Sequence, residues 1–156
     1  MAKRGVHCIV AFVNSMLDEL RTRVRAEALA EGVTHTAHPG LYVFRADAPI
    51  GPKRIQTGGV VVAVIADRTK TVVFGGQKGI PYSPGAYLFV SRETQYTSFV
   101  RRATRRRPYL SLGLTLPAEQ VAEVALALDD AGAEPGEDVD GWVGTLDAPL
   151  LGGFLR

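Results

Sequence analysis

The 156-residue sequence has one cysteine, three histidines and one tryptophan, and each scarcity excludes something. A lone cysteine, Cys8, rules out an internal disulfide framework and a cysteine-built zinc cage, which suits a reducing compartment, and Cys8 itself reads as a small buried hydrophobe. Long apolar runs are also missing. The longest near the start, CIVAFV after MAKRGVH, falls far short of the roughly 20 residues that cross a bilayer. It is short for a signal-peptide core too, and no small-x-small cleavage site follows before Asn14. The expectation is a cytoplasmic chain with no membrane partner. A formal net charge of +2 is too slight to imply a nucleic-acid partner, because phosphate binding needs clustered cations. No G-x-S-x-G elbow, P-loop or paired acid–histidine constellation occurs, and FGGQKG lacks the Lys-Ser/Thr pair and following helix of a phosphate loop, so it reads as a hairpin turn. No catalytic residue, metal or cofactor is therefore assigned.

What is present has the size and composition of one ordinary globular domain, residues 1–156. In VNSMLDELRTRVRAEALAEG, Val13, Leu17, Leu20, Val24 and Ala28 recur every three or four residues, which predicts an amphipathic helix over about 13–31. Asn14 or Ser15 can cap its start and Gly32 can stop it. Its Arg21, Arg23 and Arg25 read as solvated cations near glutamates. From Leu41 to Leu116 the period changes to two. Strands are expected at 41–46, 59–66, 70–76, 86–91, 96–102 and 109–116, a spacing that means a sandwich or barrel. The last alternates most clearly: Leu110, Leu112, Leu114 and Leu116 point one way, Tyr109, Ser111, Gly113 and Thr115 the other. If the leucines pack under a helix or second sheet, the opposite side lines a polar interior open to a small ligand.

A second helix is predicted over about 117–130, with Pro117 in its first turn, Glu119 and Glu123 early, and Val121, Val124, Ala125 and Leu128 as its stripe. An acidic linker, DDAGAEPGEDVD (129–140), follows. From about residue 147 a further helix begins, capped by Asp147, with Pro149 in its first turn and Leu150, Leu151, Phe154 and Leu155 on one face. That stripe stops within two periods, which suggests a fragment of a longer protein.

The order PGLYVFRADAP, VVVAVIADRTKTVVFGG, YSPGAYLFVS and RRPYLSLGLTL followed by a helix resembles the amino-terminal domain of AraC-type transcription regulators, from about Pro39 to the last residues. The resemblance implies a mainly β fold with flanking helices: a cupin-like β-barrel (double-stranded β-helix or jelly roll) plus N- and C-terminal α-helices. It also implies a bacterial ligand-sensing and dimerising domain, with DNA contacted only through helix-turn-helix modules not present in this chain. Asp67 stands where the family's hairpin usually carries glycine, and it can adopt a left-handed turn. The run RRATRRR (101–107) is more basic than the family pattern and reads as a solvated hairpin loop, the alternative being contact with DNA phosphates or an acidic partner.

If they face inward, Arg45, Tyr87, Tyr96, Ser98, Tyr109 and Ser111 are the candidates to touch an unknown small-molecule effector, with Tyr82 a weaker one. Homodimerisation is expected through Val121, Val124, Ala125 and Leu128, the alternative being that this helix packs on its own sheet. Two other readings stay open: a small cupin enzyme, isomerase or oxygenase, and a dimerisation module that binds no ligand. Against the enzyme, His7, His35 and His38 lack the spacing of a cupin metal set, and HTAH reads as loop histidines.

Overall fold

Alternation in the strands is resolved into two antiparallel sheets in a computed structural model that describes residues 2–91, 93–130, 132 and 140–156. The order is α1 (Ala2–Glu27), β1 (Gly32–His35), β2 (Leu41–Ala46), β3 (Ile50–Gln56), β4 (Val60–Asp67), β5 (Lys70–Phe74) and β6 (Ile80–Tyr82). After these come β7 (Ala86–Val90), β8 (Gln95–Val100), β9 (Tyr109–Leu116), α2 (Ala118–Asp130), β10 (Gly141–Thr145) and α3 (Ala148–Leu155). The larger sheet runs β1-β2-β9-β4-β7-β10 and the smaller β3-β8-β5-β6. The chain passes repeatedly between them, as a jelly roll does, so the mainly β, cupin-like barrel with flanking helices is the observed fold.

Each strand of the larger sheet divides its side chains between two cores. Val43, Val64, Leu110 and Leu112 face outward and are covered by Leu20 and Val24 of α1, by Ala28 just beyond its end, and by Leu146 and Leu151. Full burial of each larger aliphatic side chain contributes about 1.5–3 kcal/mol, and this layer contains little else. Facing the other way, Ile65, Leu88, Val90 and Tyr109 meet Val72, Phe74, Tyr96 and Val100 of the smaller sheet.

The corner PYSPG carries the chain from the small sheet to the large one. The Ala86 amide donates to the Ser83 carbonyl at 3.0 Å, with Pro84 and then Gly85 (φ +97°) between them. Proline followed by a residue at positive φ is the signature of a type II turn, and glycine meets that φ without a Cβ penalty.

Several boundaries differ from the expected ones. The first helix begins at Ala2 rather than near 13 and ends at Glu27, so the apolar run at 9–13 is helical; Ile9, Val10 and Phe12 are exposed there, which hides the 3.6-residue period. Strands at 32–35, 50–56, 80–82 and 141–145 were not expected. Residues 50–56 contain Gly51, Pro52, Lys53 and Arg54, and a register shift between Ile50 and Lys53 breaks their alternation. The left-handed residue of the β4–β5 turn is Arg68 (φ +73°), with Asp67 still in the strand and its Oδ1 accepting from the Arg68 amide at 2.9 Å. The acidic linker at 129–140 falls largely outside the described residues. No helix among the described residues is long and apolar enough to cross a membrane.

Candidate functional site

Between the sheets lies a cavity of about 300 Å³. Pairing explains what lines it. Tyr42, Phe44 and Ala46 stand opposite Gly113, Ser111 and Tyr109, and Ala63 and Ile65 stand opposite Gly113 and Ser111, so these side chains share the inner face. On the smaller sheet Lys53 pairs with Ser98 and Ile55 with Tyr96, while Lys70 pairs with Tyr82. Gly113 makes room at the centre: a Cβ there would overlap the Tyr42 ring, which lies across the glycine from the neighbouring strand.

Polar groups in this interior are poorly compensated. Tyr82 and Tyr109 are 3% and 1% exposed, and their hydroxyls have no hydrogen-bond partner among the described residues. Burial raises the Tyr82 phenol well above its ordinary pKa, and the Tyr109, Tyr96 and Tyr42 phenols nearby push the same way. Tyr109 is also raised, mainly by burial; the Ser111 hydroxyl lies near enough to oppose the shift but does not meet hydrogen-bond geometry with the phenol. Tyr96 is pushed up to about 12, by burial and then by Tyr42. All remain neutral hydroxyls at physiological pH. Lys70 goes the other way: burial lowers its ammonium to about 8, and the Tyr96 ring faces it with its centroid 6.0 Å from Nζ. No carboxylate lines the cavity.

Of the sequence candidates, Tyr96, Ser98, Tyr109, Ser111 and the weaker one, Tyr82, meet at this cavity. Arg45 and Tyr87 do not. Arg45 lies on the helix-facing side, opposite Leu110, where Nε donates to Asp47 Oδ1 at 2.7 Å and Nη1 to the Ala28 carbonyl at 3.2 Å. Tyr87 also packs toward the helical layer; its ring covers Gly144, and its hydroxyl accepts from Trp142 Nε1 at 3.4 Å. Leu88, the next residue, takes the inward place. Sequence reasoning missed Tyr42, Lys53 and Lys70. The signal for Lys70 was present in KTVVF, where it shares parity with buried Val72 and Phe74.

The basic run forms the β8–β9 loop. The Thr104 amide donates to the Arg107 carbonyl at 3.0 Å, and Arg68 Nε donates to that same oxygen at 3.2 Å. Arg107 also lies 3.6 Å from Asp67. With Arg21, Arg68, Lys78, Arg101 and Arg102 it borders an open cleft of about 1040 Å³ on the outside of the small sheet. His35 and His38 lie apart from the cavity, and no three His, Cys, Asp or Glu side chains gather among the described residues. On α2, Val121 is half-buried and Val124 and Ala125 are exposed; the Leu128 side chain lies outside the described residues.

Comparison with known proteins gives a family. A model of the AraC-type transcriptional regulator N-terminus matches residues 37–156. Among solved structures, ToxT from Vibrio cholerae (P21 form) is similar with a TM-score of 0.59 and 6% identity, covering 74% of this chain and 45% of that one. ToxT from Vibrio cholerae O395 bound to (E)-4-(8-methylnaphthalen-1-yl)but-3-enoic acid gives 0.55 at 8% identity, with coverage of 74% and 45%. Unsaturated fatty acid bound wild-type ToxT from strain SCE256 gives 0.52 at 7% identity, with coverage of 77% and 46%. The chain thus spans just under half the length of these ToxT chains. No curated protein sequence matches.

Proposed function

The chain belongs to the family of AraC-type transcriptional regulator N-termini, and on that premise we propose that residues 1–156 act as one effector-sensing, dimerising regulatory domain whose DNA-binding modules lie outside this chain. The cavity carries this reading. A barrel used only as scaffold gains from close packing, since interiors reach crystal-like density. This one instead arranges tyrosines, serines and two lysines around about 300 Å³. The small organic ligands named for the similar ToxT structures support a small-molecule role for a barrel of this fold. The domain performs no chemistry in this reading, and it works in the cytoplasm, where DNA is.

Transmission follows from the shared strands. Ser111 borders the cavity while Leu110 and Leu112 on the same strand are packed beneath the helices, so an effector that re-seats β9 changes the footing of α1 and α3. A ligand binding one arrangement better than another shifts the population toward it, and with it the spacing of attached modules. The dimer contact is assigned to the face of α2 that carries Val121, Val124 and Ala125, where Val124 is 59% exposed. Burying such an apolar stripe against a second copy is the ordinary way to remove it from water.

A thermal-shift screen of small metabolites tests the sensor, because a ligand bound only by the folded state raises Tm. Hits should vanish in Ala63→Leu, which intrudes on the cavity; hits that persist there would place binding elsewhere. In sedimentation, Val124→Arg should turn dimers into monomers, and a folded variant that stays dimeric removes α2 from the interface.

A further inference from the structure

The two lysines of the cavity rise from one sheet on either side of one strand. In the order β3-β8-β5, Lys53 and Lys70 belong to the strands flanking β8, and Ser98 of β8 sits between them, paired with Lys53 on one side and Val72 on the other. Lys70 in turn stands beside Tyr82, whose buried hydroxyl is one of the two without a partner. The other, on Tyr109, projects into the same space from the facing sheet. Around these groups the lining is apolar, with Phe44, Ile50, Ile55, Val61 and Ala63.

We infer that the cavity selects a small monocarboxylic acid with an apolar body, its carboxylate held by Lys70 and the Tyr82 and Tyr109 hydroxyls, with Lys53 at the mouth. This rests on the effector reading above and narrows it to a ligand class. Each competing class leaves something unsatisfied. An ammonium ligand meets two cations and no carboxylate. A polyol finds only the tyrosine and serine hydroxyls to accept from it, with no Asp, Glu, Asn or Gln in the lining, and it leaves the ammonium without a countercharge. A phosphate is best matched by guanidinium forks, and no arginine lines it either. A plain hydrocarbon leaves a buried ammonium and two hydroxyls desolvated without partners, the arrangement that is costly in an apolar interior. A carboxylate resolves all of these: it supplies the missing countercharge and accepts from the orphaned hydroxyls. Size fits as well. A cavity near 150 Å³ admits benzene, so about twice that volume holds about ten heavy atoms.

Octanoate and octan-1-ol, which share a chain and differ in charge, test the inference by titration calorimetry on the full chain at pH 7. Octanoate should bind at least about tenfold more tightly than octan-1-ol, since hydrogen bonds to charged groups outweigh neutral ones. Lys70→Met should weaken octanoate by about 10- to 100-fold and leave octan-1-ol unchanged or tighter, while Lys53→Met, at the exposed mouth, should weaken octanoate only a few-fold. Equal affinity of the wild-type chain for both compounds would overturn the carboxylate assignment while leaving the barrel a ligand site. Loss of neither compound on Lys70→Met would do the same. Failure of both to bind would also overturn it, and the metabolite screen with its Ala63→Leu control then decides the effector reading separately. Should Lys70→Met fail to fold, the comparison of the two compounds on the wild-type chain still decides.

Discussion

On β9, Leu110 and Leu112 point at the helices while Tyr109, Ser111 and Gly113 point into the barrel, so one strand serves two interiors of opposite character. The helix-facing interior is aliphatic, and Arg45 on that side is spoken for by Asp47 and by the Ala28 carbonyl. Across the sheet the interior has a cavity, two hydroxyls without partners and a lysine whose charge no carboxylate balances. Unpaired buried polar groups destabilise a fold, and natural proteins hold them chiefly where they have a task. One face of the sheet supplies stability, and on the reading proposed above the other gives up some of it for recognition.

The strongest test of this division is a truncation on the dry side. Leu151 is fully buried and belongs to the short α3, so Leu151→Ala should destabilise by about 2–5 kcal/mol in urea unfolding, because the void beneath α1 cannot collapse fully. For a chain of this length that lowers Tm by roughly 5–15 °C. Because β9 is shared by both interiors and coupling is reciprocal, octanoate affinity should move as well, by about threefold or more; no change would show that the helical layer does not sense the cavity. A loss of stability below about 1 kcal/mol would show that the helical layer is not a core at all.

The sequence displayed the dry interior more plainly than the wet one, for physical reasons. Aliphatic alternation at 109–116 and helical spacing at Leu20, Val24 and Ala28 are both repeated signals, and each repeat reinforces the last. The cavity is written in single residues. Tyr96 and Ser98 were readable from the parity of their strand, but Tyr87 and Arg45 were assigned inward without a partner to fix which face was which. Val64 pairs with Tyr87 and is packed under the helices, so the parity of β4 already places Tyr87 outside. Lys53 was hidden by the irregular register beside Ile50, which shifts parity by a residue no periodicity reveals. The edge strand β10, with Gly141 and Gly144 among its five residues, offers almost no pattern; the Cβ-less Gly144 lies beneath the Tyr87 ring.

A smaller effect comes from pH, and it belongs to the wet side alone. The Lys70 ammonium has its pKa lowered to about 8 by burial, whereas the unfolded chain holds it near 10.4. Below pH 8 both states carry the proton and the folded one bears the desolvation penalty. Between about 8 and 10.4 the folded state gives up the proton first, so the unfolded state binds more protons and stability rises with pH. The gain should be about 1–2 kcal/mol, allowing for water reaching a half-buried stem, and Lys70→Met should abolish it. Octanoate affinity should fall over the same rise in pH, as the ammonium is lost. The other groups facing Lys70 are Lys53, Tyr42, Tyr82, Tyr96 and Tyr109, and burial holds all four of these phenols above their ordinary range. Unfolding curves at pH 7 and pH 9.5 measure the slope; equal slopes in wild type and Lys70→Met would assign it elsewhere.

The smallest effect is the sharpest, because only its sign matters. Thr57 and Tyr109 both bury a hydroxyl, but the Thr57 oxygen accepts from the Thr94 amide at 3.1 Å and donates to the Thr94 carbonyl at 3.2 Å, while the Tyr109 oxygen has no partner among the described residues. Deleting a satisfied buried hydroxyl strands its partner, so Thr57→Val should destabilise by about 1 kcal/mol. Deleting an unsatisfied one removes a desolvated group and strands nothing, so Tyr109→Phe should leave stability unchanged or raise it by up to about 1 kcal/mol. The same substitution should weaken octanoate several-fold, because the hydroxyl then has an acceptor to serve. Stability gained without ligand and affinity lost with it, from one oxygen atom, is the pattern expected of a group kept for binding. If Tyr109→Phe instead destabilises like Thr57→Val, the hydroxyl has a partner in solution, and the inner face is as well satisfied as the outer.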